Sequence, residues 1–280
     1  MKQRIITALL LAPLVILGIF LLPLPWFAVA IAGVTLIGFW EWTQFVNHKS
    51  RYLALIPSVL LSGLSLYLIP MDHVSLNSHL PAYYFILAAG GLWWIASSVL
   101  AITYPKSRPL WEGCNSARHL FGIVTLLPFF WSVLLLRAEE VGNDPYHGAK
   151  LVLFVCLIVW AADSGAYFTG KSFGKRRMAP SVSPNKTIEG LIGGVVAAIL
   201  VACLSAHWFQ LHFENTSTMV VITLFTVVFS VLGDLVESMF KRVSGIKDSS
   251  KIIPGHGGVL DRIDSLTAAF PIFTLLYFLL

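Results

Sequence analysis

The stretch "KLVLFVCLIVWAADSGAYFTGKS", residues 150–172, decides the fold. Its last eight residues, "GAYFTGKS" at 165–172, fit the phosphate-loop pattern G-x-x-x-x-G-K-[ST]. A true phosphate loop follows a short buried strand and opens a helix inside a soluble α/β domain. Here the residues before Gly165 form a continuous apolar run long enough to cross a membrane. The sequence therefore predicts a transmembrane helix and argues against a nucleotide hydrolase of the phosphate-loop class.

The composition of the whole chain also indicates a membrane protein. Of the 280 residues, 57% are hydrophobic and only 12% are charged, and the mean hydropathy is +0.79. A soluble domain is much less apolar. We therefore predict an all-α, polytopic integral membrane protein with about nine transmembrane helices. Apolar stretches of suitable length lie near residues 5–22, 24–40, 53–70, 83–103, 120–136, 151–168, 190–206, 219–236 and 266–280.

The basic residues predict the orientation, because cytoplasmic loops retain Lys and Arg. With a cytoplasmic N-terminus and nine crossings, the C-terminus lies outside. All of the 19 Lys and Arg residues except Arg137 and Lys150 then fall on the cytoplasmic side. A signal peptide cleaved after "AVA", residues 28–30, is the less favoured alternative, because the apolar pattern continues past it. A short chain without a transit extension suits the inner (plasma) membrane of a bacterium.

The two halves of the chain differ in their polar content. Residues 1–150, with about five helices, carry few polar groups inside their spans, and we predict a transmembrane scaffold. In this half we interpret Glu41 and Trp42 as interfacial anchors, with a role at lipid headgroups as the alternative. Residues 151–280, with about four helices, are predicted to form the catalytic half.

Two cytoplasmic loops, 169–189 and 237–265, are predicted to carry the chemistry of the catalytic half. Asp163 lies near the inner end of a span, where an ionisable group indicates a functional site. The segment "GKSFGKRRMAPSVSPNKTIEG", residues 170–190, resembles a flexible basic loop that binds phosphates, and an ordinary positive-inside loop is the alternative. The glycines of "GLIGG", residues 190–194, predict close helix contacts, either within the chain or in a homodimer.

Carboxylates recur in pairs at the ends of the last two predicted spans. Asp234 and Glu237 are three residues apart and share one helix face, and Asp261 and Asp264 repeat that spacing. Carboxylates beside phosphate-binding bases are best reconciled by a divalent cation, and hard oxygen ligands favour Mg²⁺. The sequence therefore predicts a magnesium site at the inner membrane surface.

Other classes of function remain as alternatives. A solvated charged loop explains the charges, but "PGHGG", residues 254–258, indicates a backbone shaped for close approach of a ligand. A secondary transporter or lipid flippase needs polar groups near the bilayer midplane, whereas the carboxylates here cluster at one face. A scaffold protein without chemistry leaves both polar loops unexplained. We therefore expect an enzyme acting at the membrane surface, and nothing indicates a nucleic-acid partner.

Two segments carry a resemblance to a known family. Residues 238–265, "SMFKRVSGIKDSSKIIPGHGGVLDRIDS", resemble the signature of the CDP-diacylglycerol synthases (phosphatidate cytidylyltransferases), with K-R, K-D, H-G-G and D-R-x-D in that order. Residues 162–190 resemble the upstream stretch of the family, where A-D-x-G-A-Y precedes S-P-N-K-T-x-E-G. The motifs cover roughly residues 161–265.

The resemblance implies a Mg²⁺-dependent nucleotidyl transfer in phospholipid biosynthesis. The phosphate of phosphatidate attacks the α-phosphorus of CTP, giving CDP-diacylglycerol and pyrophosphate. CTP, phosphatidate and membrane lipid are then the expected partners, with a homodimer as a further possibility and room for a second cation. The nearest rival is another membrane enzyme that uses CTP, a cytidylyltransferase or kinase acting on a polyisoprenoid or an alcohol.

The resemblance also assigns roles to individual residues. The predicted metal ligands are Asp234, Asp261 and Asp264, with Asp163 and Glu237 as further candidates. The predicted catalytic set comprises Asp234, Asp261, Asp264, Lys241, Arg242 and His256. The predicted substrate-binding set comprises Lys171, Lys175, Arg176, Ser183, Asn185, Lys186, Lys247 and Arg262.

Overall fold

The computed structural model describes residues 2–46, 50–69, 81–139 and 144–280, and it leaves out the side chains of residues 2–6 and 8. Within this part of the chain, nine long α-helices and one β-hairpin are the main elements. The predicted all-α class is confirmed. The helices are α1 Lys2–Leu21, α2 Leu24–Trp42, α3 Arg51–Leu68, α4 Pro81–Ile102, α5 Asn115–Arg137, α6 His147–Phe173, α7 Ile188–Phe209, α8 Thr216–Val243 and α9 Leu260–Leu279. The antiparallel strands of the hairpin are β1 Arg177–Ala179 and β2 Ser183–Thr187.

Eight of the described helices, α2 to α9, are long and apolar enough to cross a bilayer. The apolar part of α1, Leu9–Leu21, is shorter. Helices suit this environment because each satisfies its own backbone hydrogen bonds where water is absent. The prediction of a polytopic membrane protein is therefore confirmed.

The two ends of the described chain lie at opposite ends of the bundle. Near the start of α1, Thr7 Oγ1 donates a hydrogen bond to the Pro254 carbonyl at 3.3 Å. Near the end of α9, Tyr277 Oη lies 3.4 Å from His147 Nε2 at the start of α6. Helix α1 also runs the length of the bundle, because Arg137 at the end of α5 donates to the Ile19 and Leu22 carbonyls. The nine helices of the described chain therefore make an odd number of passes. Which end faces the cytoplasm stays a prediction, and the count behind it includes Lys2, Arg4 and Lys49, whose side chains lie outside the described residues.

Helices α6 and α7 pack closely through glycines. Residues 165–172, which fit the phosphate-loop pattern, lie inside α6, so the rejection of a phosphate loop is confirmed. A Cβ added to Gly165 would lie 2.6 Å from Ala197 Cβ, and one added to Gly194 would lie 2.7 Å from the Ala162 carbonyl oxygen. The glycines of "GLIGG" therefore pack within the chain, and a homodimer stays a prediction without support from them.

The polar loops are shorter than the predicted ranges 169–189 and 237–265. Helix α6 continues to Phe173, and the segment between α8 and α9 spans only 244–259. The hairpin is fixed over the helix ends, because Ala179 and Val182 are buried in the core. Continued helix keeps the backbone groups hydrogen-bonded as the chain leaves the apolar layer.

The packing crosses the predicted division at residue 150. Helix α5 packs against α9, and α4 packs against both α8 and α9. The division into scaffold and catalytic halves therefore stays a prediction about function.

We expect Gly194→Ala to destabilise the protein, because the new methyl group would overlap the backbone of α6. The cost of such overpacking is about 1–3 kcal/mol, which lowers the melting midpoint by several degrees. The matched control is Gly63→Ala in α3, where no atom of the described residues lies within 4 Å of the added Cβ. Thermal unfolding in detergent measures both variants, and equal midpoints would contradict the proposed packing.

Candidate functional site

Carboxylates from three helices gather at the end of the bundle that carries the hairpin. Asp163 comes from α6, Asp234 from α8 and Asp264 from α9, and Asp234 interacts electrostatically with both of the others. Lys186 of β2 reaches this group, with its Nζ 2.6 Å from Asp234 Oδ2 and 3.1 Å from the Val231 carbonyl oxygen. The structure thus brings together four of the residues predicted from the sequence.

A second contact joins α8 to α9. Lys241 Nζ lies 3.1 Å from Glu237 Oε1 and 2.9 Å from Asp261 Oδ1. Glu237 is only 4% exposed, and Asp261 is also buried. A buried carboxylate without a compensating cation is strongly destabilising, so Lys241 stabilises both acids.

Asp261 holds the segment that connects α8 to α9. Its Oδ2 accepts hydrogen bonds from the backbone N–H groups of Ser249 at 2.9 Å and Gly258 at 2.8 Å. Its Oδ1 accepts from Lys241. The carboxylate is therefore already occupied by donors, and a metal ion would have to displace them. The metal role of Asp261 stays a prediction, whereas its role in holding the segment 244–259 follows from these hydrogen bonds.

The segment 244–259 lines a cavity of about 670 Å³ together with the start of α9. Cavities of this volume hold small-molecule ligands. Three of the predicted residues, Lys247, His256 and Arg262, line it, and Lys251 adds a further cation. The charge of the lining favours an anion such as a polyphosphate.

At two positions of "PGHGG", carboxylates behind the cavity wall leave no room for a side chain. Gly257 has a φ of +85°, which favours glycine, and a Cβ there would lie 2.5 Å from Asp261 Oδ2. A Cβ on Gly258 would lie 2.6 Å from Glu41 Oε1. The sequence predicted close approach of a ligand at this motif. In the structure, the groups that approach these glycines are carboxylates of the chain itself.

Glu41 is the functional candidate that the sequence analysis missed. The interpretation as an interfacial anchor is wrong, because the side chain of Glu41 is 0% exposed and lies against the segment 244–259. Trp42 is buried as well, and its Nε1 donates to the Arg118 carbonyl at 2.9 Å. The available signal was a lone carboxylate at the end of an apolar helix. Its partners are more than 200 residues away, so the sequence could not identify them.

The other predicted residues lie on the hairpin side of the site and do not line the cavity. The backbone N–H groups of Lys175 and Arg176 both donate to Glu189 Oε2 at 3.0 Å. Arg242 Nε donates to the Val182 carbonyl at 3.1 Å and so fixes the hairpin to α8. The remaining members of this group are Lys171 at the end of α6, and Ser183 and Asn185 on β2.

The acidic side chains of the site do not form a complete magnesium site by themselves. Among the described residues, no group of three His, Cys, Asp or Glu side chains is placed to hold a metal by itself. Mg²⁺ in phosphoryl-transfer sites commonly takes one or two carboxylates and completes its shell with substrate phosphates and water. Asp234, whose Oδ2 also pairs with Lys186, and Asp264 provide such a pair of carboxylates, so the residues present fit a cation that binds together with a phosphate ligand.

Comparison with known proteins gives full-length matches. The Cytidylyltransferase family matches residues 2–280. A phosphatidate cytidylyltransferase of Haemophilus influenzae is 43% identical over 285 residues, which cover 99% of both chains. One of Pseudomonas aeruginosa is 41% identical over 278 residues, covering 99% of this chain and 96% of the relative. One of Bacillus subtilis is 34% identical over 280 residues, covering 100% of this chain and 97% of the relative.

We expect Asp261→Asn to loosen the segment 244–259 even when no metal or ligand is present. The amide cannot accept from all of the donors that the carboxylate now serves, because one of its two polar atoms is itself a donor. Hydrogen exchange of this segment, measured with EDTA present, should become about tenfold faster. Asp163→Asn is the control, since Asp163 interacts with Asp234 and Lys186 rather than with this segment. An unchanged exchange rate of the segment in Asp261→Asn would contradict the role of Asp261 in holding it.

Proposed function

We propose that this chain, which belongs to the cytidylyltransferase family, is a phosphatidate cytidylyltransferase. It transfers the cytidylyl group of CTP to phosphatidate, giving CDP-diacylglycerol and pyrophosphate, in phospholipid biosynthesis. The observation that carries this proposal is the 34–43% identity, over nearly the whole chain, to three phosphatidate cytidylyltransferases. The site supports it, because its acidic and basic groups lie at one end of membrane-spanning helices, where a soluble nucleotide can meet a lipid.

The reaction mainly requires alignment and charge stabilisation. The phosphate monoester of phosphatidate is already a usable nucleophile, so the protein has no need to remove a proton from it. An oxygen of this phosphate bonds to the α-phosphorus of CTP, and the bond from that phosphorus to the bridging oxygen of the β-phosphate breaks. Negative charge then develops on the departing pyrophosphate, and preorganised cations stabilise it.

The cavity lined by the segment 244–259 is the proposed site of the CTP triphosphate. Lys247 and Arg262 supply positive charge in its wall, and His256 lies beside them. Lys241 and Arg242, which the sequence analysis places in the catalytic set, instead make the internal contacts described above. Their proposed contribution is to hold Asp261 and the hairpin in position.

The proposed cofactor is Mg²⁺, which Asp234 and Asp264 would hold when a phosphate ligand is present. When bound, it neutralises charge on the reacting phosphates. Lys186 keeps Asp234 charged and oriented through their contact at 2.6 Å. Asp163 is a further candidate oxygen donor for this cation or a second one, and Glu237 is paired with Lys241 instead.

The lipid is proposed to reach the site along α6. Tyr167 and Phe168 are exposed on this helix close to Asp163, where acyl chains can contact them. Lys171, Lys175 and Arg176 supply positive charge at the same end for the phosphate of phosphatidate. Because CTP is cytoplasmic, the site is proposed to face the cytoplasm from the inner membrane of a bacterium.

Pyrophosphate release tests the proposed reaction. We expect the purified protein in detergent to release pyrophosphate only when CTP, Mg²⁺ and phosphatidate are all present. EDTA should abolish release, and added Mg²⁺ should restore it. Release of CDP with a phosphorylated lipid would identify a kinase, and turnover on a different lipid alone would identify another substrate class.

We expect Asp234→Asn and Asp264→Asn each to lower turnover by about 100-fold or more, because each removes a ligand of the proposed cation. The matched control is Asp144→Asn, whose carboxylate pairs with Lys150 at 2.7 Å at the other end of the bundle. Steady-state rates across a Mg²⁺ titration measure the effect, with melting midpoints as the folding check. Near-normal turnover of both folded site variants would contradict the metal assignment.

A further inference from the structure

We propose that Glu41 is a positioning residue for the nucleotide, acting from α2 through the segment 244–259. It does not touch the proposed CTP cavity, but it holds the segment that forms the cavity wall. The inference rests on the proposed function for the identity of the ligand. The contacts of Glu41 themselves do not depend on that identity.

Glu41 caps the start of α9 from another helix. The first N–H groups of a helix lack partners within the helix and need an acceptor. At α9 the residue in the capping position is Val259, whose side chain makes no capping hydrogen bond. Glu41 accepts instead from the backbone N–H groups of Val259 at 3.0 Å and Leu260 at 2.6 Å. A carboxylate at this position also interacts favourably with the helix dipole.

The same carboxylate fixes two serines of the segment. Glu41 Oε2 accepts from Ser249 Oγ at 3.1 Å, and Oε1 accepts from Ser250 Oγ at 2.5 Å. Gln44 adds a contact from the same region, because its Nε2 donates to the Ser249 carbonyl oxygen. Ser250 lines the cavity, so this network reaches the wall directly.

Glu41 and Asp261 hold one residue from two sides. The Ser249 hydroxyl donates to Glu41, whereas the Ser249 backbone N–H donates to Asp261. Gly258 lies beside both carboxylates, and its lack of a side chain allows this approach. The cavity wall is thus fixed between an acid from each half of the chain, and Arg262 follows Asp261 directly in sequence.

The network requires an acceptor at both side-chain oxygens of Glu41. Among the described residues, the four groups that hydrogen-bond to Glu41 are all donors, and a carboxylate only accepts. A glutamine of the same shape places an NH₂ group against at least one of these donors. The wall must then shift, and the shift moves Lys247 and Arg262 away from the triphosphate. Binding of CTP suffers, whereas the lipid phosphate, proposed to bind on the hairpin side, is unaffected.

Steady-state kinetics of the full-length enzyme in mixed micelles test this inference, with CTP and phosphatidate varied separately. We expect Glu41→Gln to raise the KM for CTP by about tenfold or more. The KM for phosphatidate should stay within about twofold of the wild type. The matched control is Glu112→Gln, which removes a carboxylate that pairs with the exposed Arg108 and should leave both constants unchanged. If Glu41 only stabilised the fold, Glu41→Gln would lower the fraction of active enzyme without changing one KM more than the other. Unchanged KM values, or equal rises in both, would therefore overturn the proposal.

A milder variant tests the inference if Glu41→Gln does not accumulate as folded protein. Ser250→Ala removes one of the four donors at the cavity wall, and we expect the KM for CTP to rise several-fold, about the effect of losing one hydrogen bond to a charged group. Where Glu41→Gln does accumulate, the same change in that background should add little, because the two residues act together. Full additivity, or a Ser250→Ala enzyme with a normal KM for CTP, would overturn the proposal.

Hydrogen exchange separates failure of this inference from failure of the proposed function. If the wild type releases no pyrophosphate from CTP and phosphatidate, the proposed function fails. Exchange of the segment 244–259 still reports on Glu41 in that case. We expect faster exchange there in Glu41→Gln than in Glu112→Gln, and equal exchange would overturn the positioning role whatever the substrate.

Discussion

The ammonium group of Lys241 lies between the carboxylates of Glu237 and Asp261, and the arrangement of the site depends on this contact. It joins α8 to α9 at the polar end of an otherwise apolar bundle. Without the cation, two buried carboxylates would face each other with a large desolvation cost. With it, Asp261 keeps its charge and orders the segment 244–259 through Ser249 and Gly258.

The proposed cation site lies on helices, and the proposed nucleotide site lies on an ordered loop. Helices α8 and α9 present Asp234 and Asp264, the proposed ligands of the cation, and their positions are fixed by packing. The loop presents Lys247 and Arg262 for the nucleotide, and its shape depends on the hydrogen bonds of two buried acids. Asp261 connects the two parts, because it contacts Lys241 on one side and the cavity wall on the other. A cation and a triphosphate can therefore be held together at the end of the membrane-spanning helices.

Much of the fold could be predicted from the sequence, because long apolar runs such as the one before Gly165 leave few alternatives to a spanning helix. Asp234 and Asp264 could be predicted as site candidates because each is three residues from a second acid on the same helix face. The sequence could not indicate which carboxylates are already occupied, since the donors of Asp261 come from a folded loop. Nor could it pair Glu41 with Ser249, because nothing local marks a contact across 208 positions. These contacts arise only from tertiary packing.

A structure of the full-length protein with Mg²⁺ and a slowly reacting CTP analogue tests the central claim most directly. The account predicts the triphosphate in the cavity against Lys247 and Arg262, and a cation between Asp234 and Asp264 that contacts its phosphates. The contacts of Asp261 with Ser249 and Gly258 should be unchanged. A triphosphate bound away from this cavity, or a cation held by Asp261 with the loop released, would contradict it.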